Sequence, residues 1–173
     1  MDQAIPIPDS YWVTPHFLSG EYPGSHHQDE ARQKIQAFLQ AGINFFLDLT
    51  EEVERNIKLE PYQGLLMEEA AKSGQPVEYI RIPIRDVDVT TPATMRQILD
   101  TIDVALAEGK TVYVHCWGGI GRTGTVTSCF MVRHGLSGEE AIRKIAELRK
   151  GTPDAWKTAP QTQAQRNMVL NWS

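Results

Sequence analysis

The run from Thr111 to Thr125 constrains this chain more than any other stretch. Thr111 to His115 is β-rich, Cys116 follows at once, then Trp117-Gly118-Gly119-Ile120-Gly121, and from Arg122 an apolar-periodic pattern continues to His134 before Gly135. A strand, a glycine-rich loop and a helix in immediate succession form the unit that lies at the carboxyl edge of a parallel sheet, where ligands bind in alternating α/β chains. The glycines let backbone N–H groups turn inward, and a ring of such groups at a helix N-terminus attracts an anion. Arg122 adds a planar fork able to hold two phosphate oxygens at once.

The rest of the sequence alternates in the same way. Helices are expected over Asp29–Ala41, Leu65–Lys72, Pro92–Leu106, Arg122–His134 and from a Ser137-x-x-Glu140 capping box to about Arg149. A second box, Thr158-x-x-Gln161 with Pro160 in its first turn, is expected to open a last helix ending near Trp172. Strands are expected within Tyr11–Gly24, over Ile43–Leu49 and Val77–Ile84, and over Thr111–His115; Glu51–Arg55 suggests a helical turn in an irregular segment. The resulting fold class is α/β, a single domain over residues 1–173 with a mainly parallel central sheet flanked by helices on both faces.

A sulfur nucleophile in this loop has to be ionised. A free thiol titrates near about 8.5, so at about pH 6 only about 0.3% is thiolate. Lowering such a group to about 5 takes about 4.8 kcal/mol, of which a helix terminus supplies at most about 2. Loop N–H groups, Arg122 and a hydroxyl such as Thr123 must share the remainder, so a cysteine before a helix is insufficient by itself.

The run His115-Cys116-Trp117-Gly118-Gly119-Ile120-Gly121-Arg122-Thr123 resembles the His-Cys-x-x-Gly-x-x-Arg-Ser/Thr signature of the cysteine-based tyrosine and dual-specificity phosphatases. The resemblance implies the phosphotyrosine phosphatase II-like fold and a metal-independent hydrolase of protein phosphotyrosine, with phosphoserine and phosphothreonine as further candidates, without cofactor, acting through phosphocysteine. It implies that Cys116 forms that intermediate, that Trp117, Gly118, Gly119, Ile120, Gly121 and Arg122 surround the phosphoryl group, and that Thr123 assists the sulfur. His115 either orients the loop or is merely packed at the strand end. Trp117 either lines the pocket rim or packs beneath the loop.

A leaving oxygen needs a proton. The stretch Ile82-Pro83-Ile84-Arg85-Asp86-Val87-Asp88, with Pro92 soon after, resembles the general-acid loop of compact dual-specificity members, which makes Asp86 the acid and Asp88 its alternative. Gln161-Thr162-Gln163-Ala164-Gln165 is similar to a water-positioning stretch of larger members; Gln161 and Gln165 are candidates for that task or for loop support, or are ordinary helix residues. The uncharged residues inside the signature disfavour an inositol phosphate. A lipid, nucleotide or sugar ester remains the alternative substrate, and a silent phosphoprotein-binding module a further one.

Net charge is −5, with Lys and Arg fewer than Asp and Glu, so neither a nucleic-acid nor a membrane partner is expected. The two cysteines form no disulfide framework and no zinc-type spacing; Cys129, seven residues beyond Arg122, reads as core. Neither a signal peptide nor a membrane-spanning stretch is apparent. These features give the expectation of a cytoplasmic enzyme, monomeric by default, whose partner is a phosphorylated protein.

Overall fold

The computed structural model describes residues 2–173. Seven strands and six helices follow in the order β1 (Ser10–Thr14), β2 (Phe17–Gly20), α1 (Gln28–Gln40), β3 (Phe45–Asp48), β4 (Val53–Glu54), β5 (Ile57–Lys58), α2 (Gln63–Ser73), β6 (Glu78–Arg81), α3 (Pro92–Ala107), β7 (Val112–His115), α4 (Arg122–Arg133), α5 (Gly138–Leu148) and α6 (Gln163–Leu170). The main sheet has the order β1-β2-β7-β3-β6. Its β2, β7, β3 and β6 run parallel, and β1 adds an antiparallel edge through a bulged hairpin with β2.

The twofold period of the strands divides the core. Val112 and Val114 of β7, with Phe45 and Leu47 of β3, face a cluster shared with Met95, Ile98 and Ile102 of α3, Val126 and Cys129 of α4, Ile145 of α5 and Val169 of α6. Tyr113 and Phe46 face the other way, against Ile35 and Phe38 of α1 and Leu66 of α2. The sheet is therefore covered on both faces, as expected of a mainly parallel α/β domain. Because β7 is central, its carboxyl end delivers Cys116 to the middle of one sheet edge. The helix that follows, α4, is buried from Arg122 to Met131 and packs against α3, α5 and α6.

Local signals account for most boundaries. Pro92 stands in the first turn of α3 with Thr91 as cap, and Ser137 and Glu140 form the expected capping box of α5. Two expectations need correction. The last helix opens four residues later: Thr162 and Gln165 make its capping box, while Thr158, Pro160 and Gln161 precede the helix. Buried Gln165 can close this box because its Oε1 accepts from the N–H groups of both Gln161 and Thr162, at 3.0 Å each. Glu51–Arg55 is not a helical turn. Val53–Glu54 pairs with Ile57–Lys58 in a two-residue hairpin whose central Arg55 and Asn56 have φ of 48° and 65°. The extended form carries the Glu54 carboxylate to Arg122, which outweighs the helical preference of a glutamate-rich run. Among the described residues, no helix is long and apolar enough to cross a membrane.

Candidate active site

A cleft of about 190 Å³ at the carboxyl edge of the sheet is lined by Cys116, Trp117, Gly118, Ile120, Gly121, Arg122, Arg55, Asp86, Val87 and Gln161. A much larger groove of about 770 Å³ between α3 and the β6 edge contains neither the cysteine nor the arginine, so size does not identify the site.

The loop is shaped by close backbone approach. Gly119 has φ of 74°, and a Cβ there would stand 2.5 Å from the carbonyl carbon of Gly20 at the end of β2. At Gly121, which caps α4, an added Cβ would meet the Gln165 amide at 3.0 Å and Gln161 Oε1 at 3.2 Å. Glycines thus let the loop lie against β2 on one side and against the segment before α6 on the other. Trp117 is 50% exposed, with its ring 5.4 Å from that of Tyr22 and its carbonyl accepting from the Tyr22 N–H at 2.9 Å. Of its two sequence readings, the rim position is the one observed.

His115 is wholly buried beneath the loop. One ring nitrogen, Nδ1, lies 3.1 Å from the Cys116 carbonyl, which can only accept, so Nδ1 carries the hydrogen. Nε2 then accepts from the Tyr62 hydroxyl at 2.6 Å. This is the neutral imidazole, and burial lowers the His115 pKa in the same direction. Burial also drives the Tyr62 pKa far upward, keeping its hydroxyl a donor. Asp48, at the end of β3, lies 3.9 Å from Nε2. Burial opposes its charge, while its oxygens accept from the Thr50 hydroxyl and N–H at 2.6 and 2.8 Å and from the Tyr79 hydroxyl at 2.6 Å. The cysteine backbone therefore rests on a buried polar lattice rather than on apolar packing alone.

Arg122 is only 2% exposed. Its guanidinium donates to Glu54 Oε1 and to the Ile84 carbonyl at 2.9 Å each, and to Asp86 Oδ1 at 3.1 Å. Burial works against its charge, yet Glu54, Cys116 and Asp86 together raise the Arg122 pKa. Burial raises the Glu54 pKa against the pull of the same guanidinium. Asp86 Oδ2 meets Arg55 Nε at 2.9 Å across the mouth of the cleft. Asp88 lies outside the cleft lining, exposed, with Oδ1 accepting from the Val89 N–H. Asp86 and not Asp88 therefore stands beside Cys116 and Arg122.

Gln161 lines the cleft. Gln165 is fully buried behind it, and its Nε2 donates to the Asp88 carbonyl at 3.1 Å, tying α6 to the loop that carries Asp86. Thr123 is buried with Oγ1 3.5 Å from the Gly20 carbonyl, and among the described residues no hydrogen bond joins it to the Cys116 sulfur. Cys129 is buried in the core, which pushes its thiol up to about 12 and leaves it unreactive. Four participants escaped the sequence reading: Glu54, Arg55, Asp48 and Tyr62. Only Asn56, a residue suited to positive φ between two extended pairs, hinted at the hairpin; the other contacts join distant segments.

The family model described as "Swiss Army Knife protein, DSP-PTPase phosphatase domain" (PTP-SAK) matches residues 9–170. Protein 067L of Invertebrate iridescent virus 3, whose name includes the words tyrosine phosphatase, is 30% identical over 70% of this chain and 45% of its own. "Phosphatidylglycerophosphatase and protein-tyrosine phosphatase 1" of Mus musculus is 31% identical over 60% of this chain and 56% of its own. The chain thus spans about half the length of these relatives. The crystal structure of Tk-PTP in its active form shares the fold, with a TM-score of 0.72, 24% identity and 94% of each chain covered. Since the family match runs from the first strand through the last helix, the chain belongs to the compact, dual-specificity-like branch of the cysteine-dependent phosphatase superfamily.

Proposed function

We propose that the protein hydrolyses phosphotyrosine in proteins, and phosphoserine or phosphothreonine as well, through a phosphocysteine intermediate. The observation that carries this reading is the meeting of Cys116, Arg122 and Asp86 in one cleft. The phosphoryl group enters the Cys116–Gly121 loop, its oxygens facing the loop N–H groups and the Arg122 fork. Cys116 Sγ attacks phosphorus in line, the P–O bond to the side chain breaks, and Asp86 gives its proton to the departing oxygen. Asp86, now ionised, takes a proton from the water that attacks phosphocysteine, and inorganic phosphate leaves with the thiolate restored. Gln161, at the cleft wall, is suited to hold that water; Gln165 supports the loop, because its amide is committed on both sides. Thr123 serves the sulfur at the thiolate stage, and His115 fixes the backbone that carries the cysteine.

Tyrosine as the principal substrate is favoured by the Trp117 ring at the rim, a surface on which an aryl group can lie. A lipid phosphomonoester is the second reading, because the murine relative is named for a phosphatidylglycerophosphatase as well as a protein-tyrosine phosphatase. The test is turnover of an aryl phosphate, a phosphotyrosine peptide and phosphatidylglycerophosphate vesicles with chelator present. A kcat/KM for the peptide at least about tenfold above that for the vesicles supports the protein reading. The reverse order supports the lipid one, and wild-type rates in Cys116→Ser would remove both.

A further inference from the structure

Arg55 stands at an unusual place for an exposed cation. It occupies the first tip position of the β4–β5 hairpin, with φ of 48°, and its side chain is 64% exposed while lining the cleft. Its neighbour Glu54 turns inward to Arg122. Among the described residues Arg55 pairs with Asp86 alone, Nε to Oδ2 at 2.9 Å. Among the described residues Arg55 and Arg122 are the cations that line the cleft, and Arg122 is already opposed by Glu54 and Asp86.

That arrangement conflicts with one half of the reaction. Both Asp86 oxygens are paired with guanidinium groups, Oδ1 accepting from Arg122 and Oδ2 in an ion pair with Arg55 Nε. Neither oxygen can carry a proton without giving up or turning from one of these contacts. To donate in the first step Asp86 must carry a proton on one oxygen, and that O–H cannot point into the N–H of Arg55. The exposed contact is the one free to give way, because Arg122 is fixed in the core while Arg55 sits on a hairpin tip.

We infer that Arg55 is a specificity-determining residue that passes from Asp86 to a carboxylate flanking the phosphotyrosine of an acidic peptide, and so leaves Asp86 Oδ2 free to carry its proton. This rests on the phosphotyrosine reading above. A second anion beside the reacting phosphoryl group offers Arg55 a fork-to-carboxylate contact in place of the one it surrenders. An uncharged flank offers none, so Asp86 stays clamped more of the time.

The experiment compares kcat/KM for a phosphotyrosine peptide with Asp and Glu on either side against the same peptide with Ala there. The expected wild-type ratio is about fivefold in favour of the acidic peptide, as fits one rim-exposed charge pair, and it shrinks at high salt. In Arg55→Gln the ratio falls to about one, and Arg55→Lys keeps part of it. A hairpin that mattered only for folding would lower both rates and leave the ratio unchanged, which would overturn the inference. So would a wild-type enzyme indifferent to the flanks, or an Arg55-dependent gain confined to a lipid headgroup bearing a second phosphate. Cys116-dependent turnover of both peptides without preference would sink the Arg55 role alone, whereas Cys116-independent turnover would sink the underlying mechanism.

Discussion

The loop from Cys116 to Gly121 hangs between the central strand and a helix buried along its first ten residues, and His115 beneath it is wholly enclosed. Across the cleft, the β4–β5 hairpin exposes Val53 and Ile57, at 51% and 62%, and the acid loop holds Val87 at φ of 57°, a strained value for a β-branched residue. One wall is made by core packing and contiguous sequence. The other is made by ion pairs, Glu54 and Asp86 with Arg122 and Asp86 with Arg55. On the mechanism proposed above, the nucleophile and phosphate cradle stand on the buried wall and the proton donor on the exposed one.

Substitutions on the two walls should therefore fail differently. The largest loss is expected on the buried wall. Arg122→Ala should lower kcat/KM by about a thousandfold, and it also leaves Glu54 buried without its cation, so Tm should fall as well. A variant that keeps activity within about tenfold would mean that the guanidinium is not the main phosphoryl partner. Next is Asp86→Asn, expected to lower kcat by about a hundredfold or more for a tyrosyl leaving group and much less for an aryl group that leaves easily. Equal losses would contradict proton donation from this wall.

Gly119→Ala tests preorganisation itself. Its Cβ would be forced to 2.5 Å from Gly20 backbone in a left-handed conformation, so β2 and the loop must separate. Stability should drop by about 1–3 kcal/mol with phosphate affinity falling in parallel. Unchanged vanadate or phosphate binding would show that the cradle tolerates movement.

The buried histidine gives a pH signature. Burial lowers its pKa from the ordinary 6.5, so the unfolded chain takes up a proton near that pH while the folded one resists. The stability from neutral His115 is therefore complete above about pH 6.5 and lost as pH falls towards the folded value. Thermal unfolding between pH 8 and pH 5 should show that decline, and His115→Gln should flatten it. The smallest expected effect is on the exposed wall. Val87→Gly removes the φ strain, worth about 1 kcal/mol, and should alter kcat for peptides without changing phosphate affinity.

How much of this was visible in the sequence follows the same division. The cysteine loop was legible because strand, glycines, arginine and helix are consecutive, and each states its own conformation. Asp86 was legible through the strand before it and Pro92 after it. Glu54, Arg55, Asp48 and Tyr62 were not, because each acts on a residue more than thirty positions away and none has a local signature. The capping box of α6 was misplaced for a related reason: Thr158 and Thr162 both begin a Thr-x-x-Gln pattern, and the choice between them is made by burial of Gln165 against the acid loop.

The most direct measurement is rapid acid quenching of the enzyme during turnover of a phosphotyrosine peptide, followed by mass analysis of the peptide containing Cys116. The account requires one phosphoryl group on the Cys116 sulfur, accumulating further in Asp86→Asn if dephosphorylation becomes slow, and absent in Cys116→Ser. Turnover with the phosphoryl group on another residue, or undiminished release of phosphate by Cys116→Ser, would contradict it.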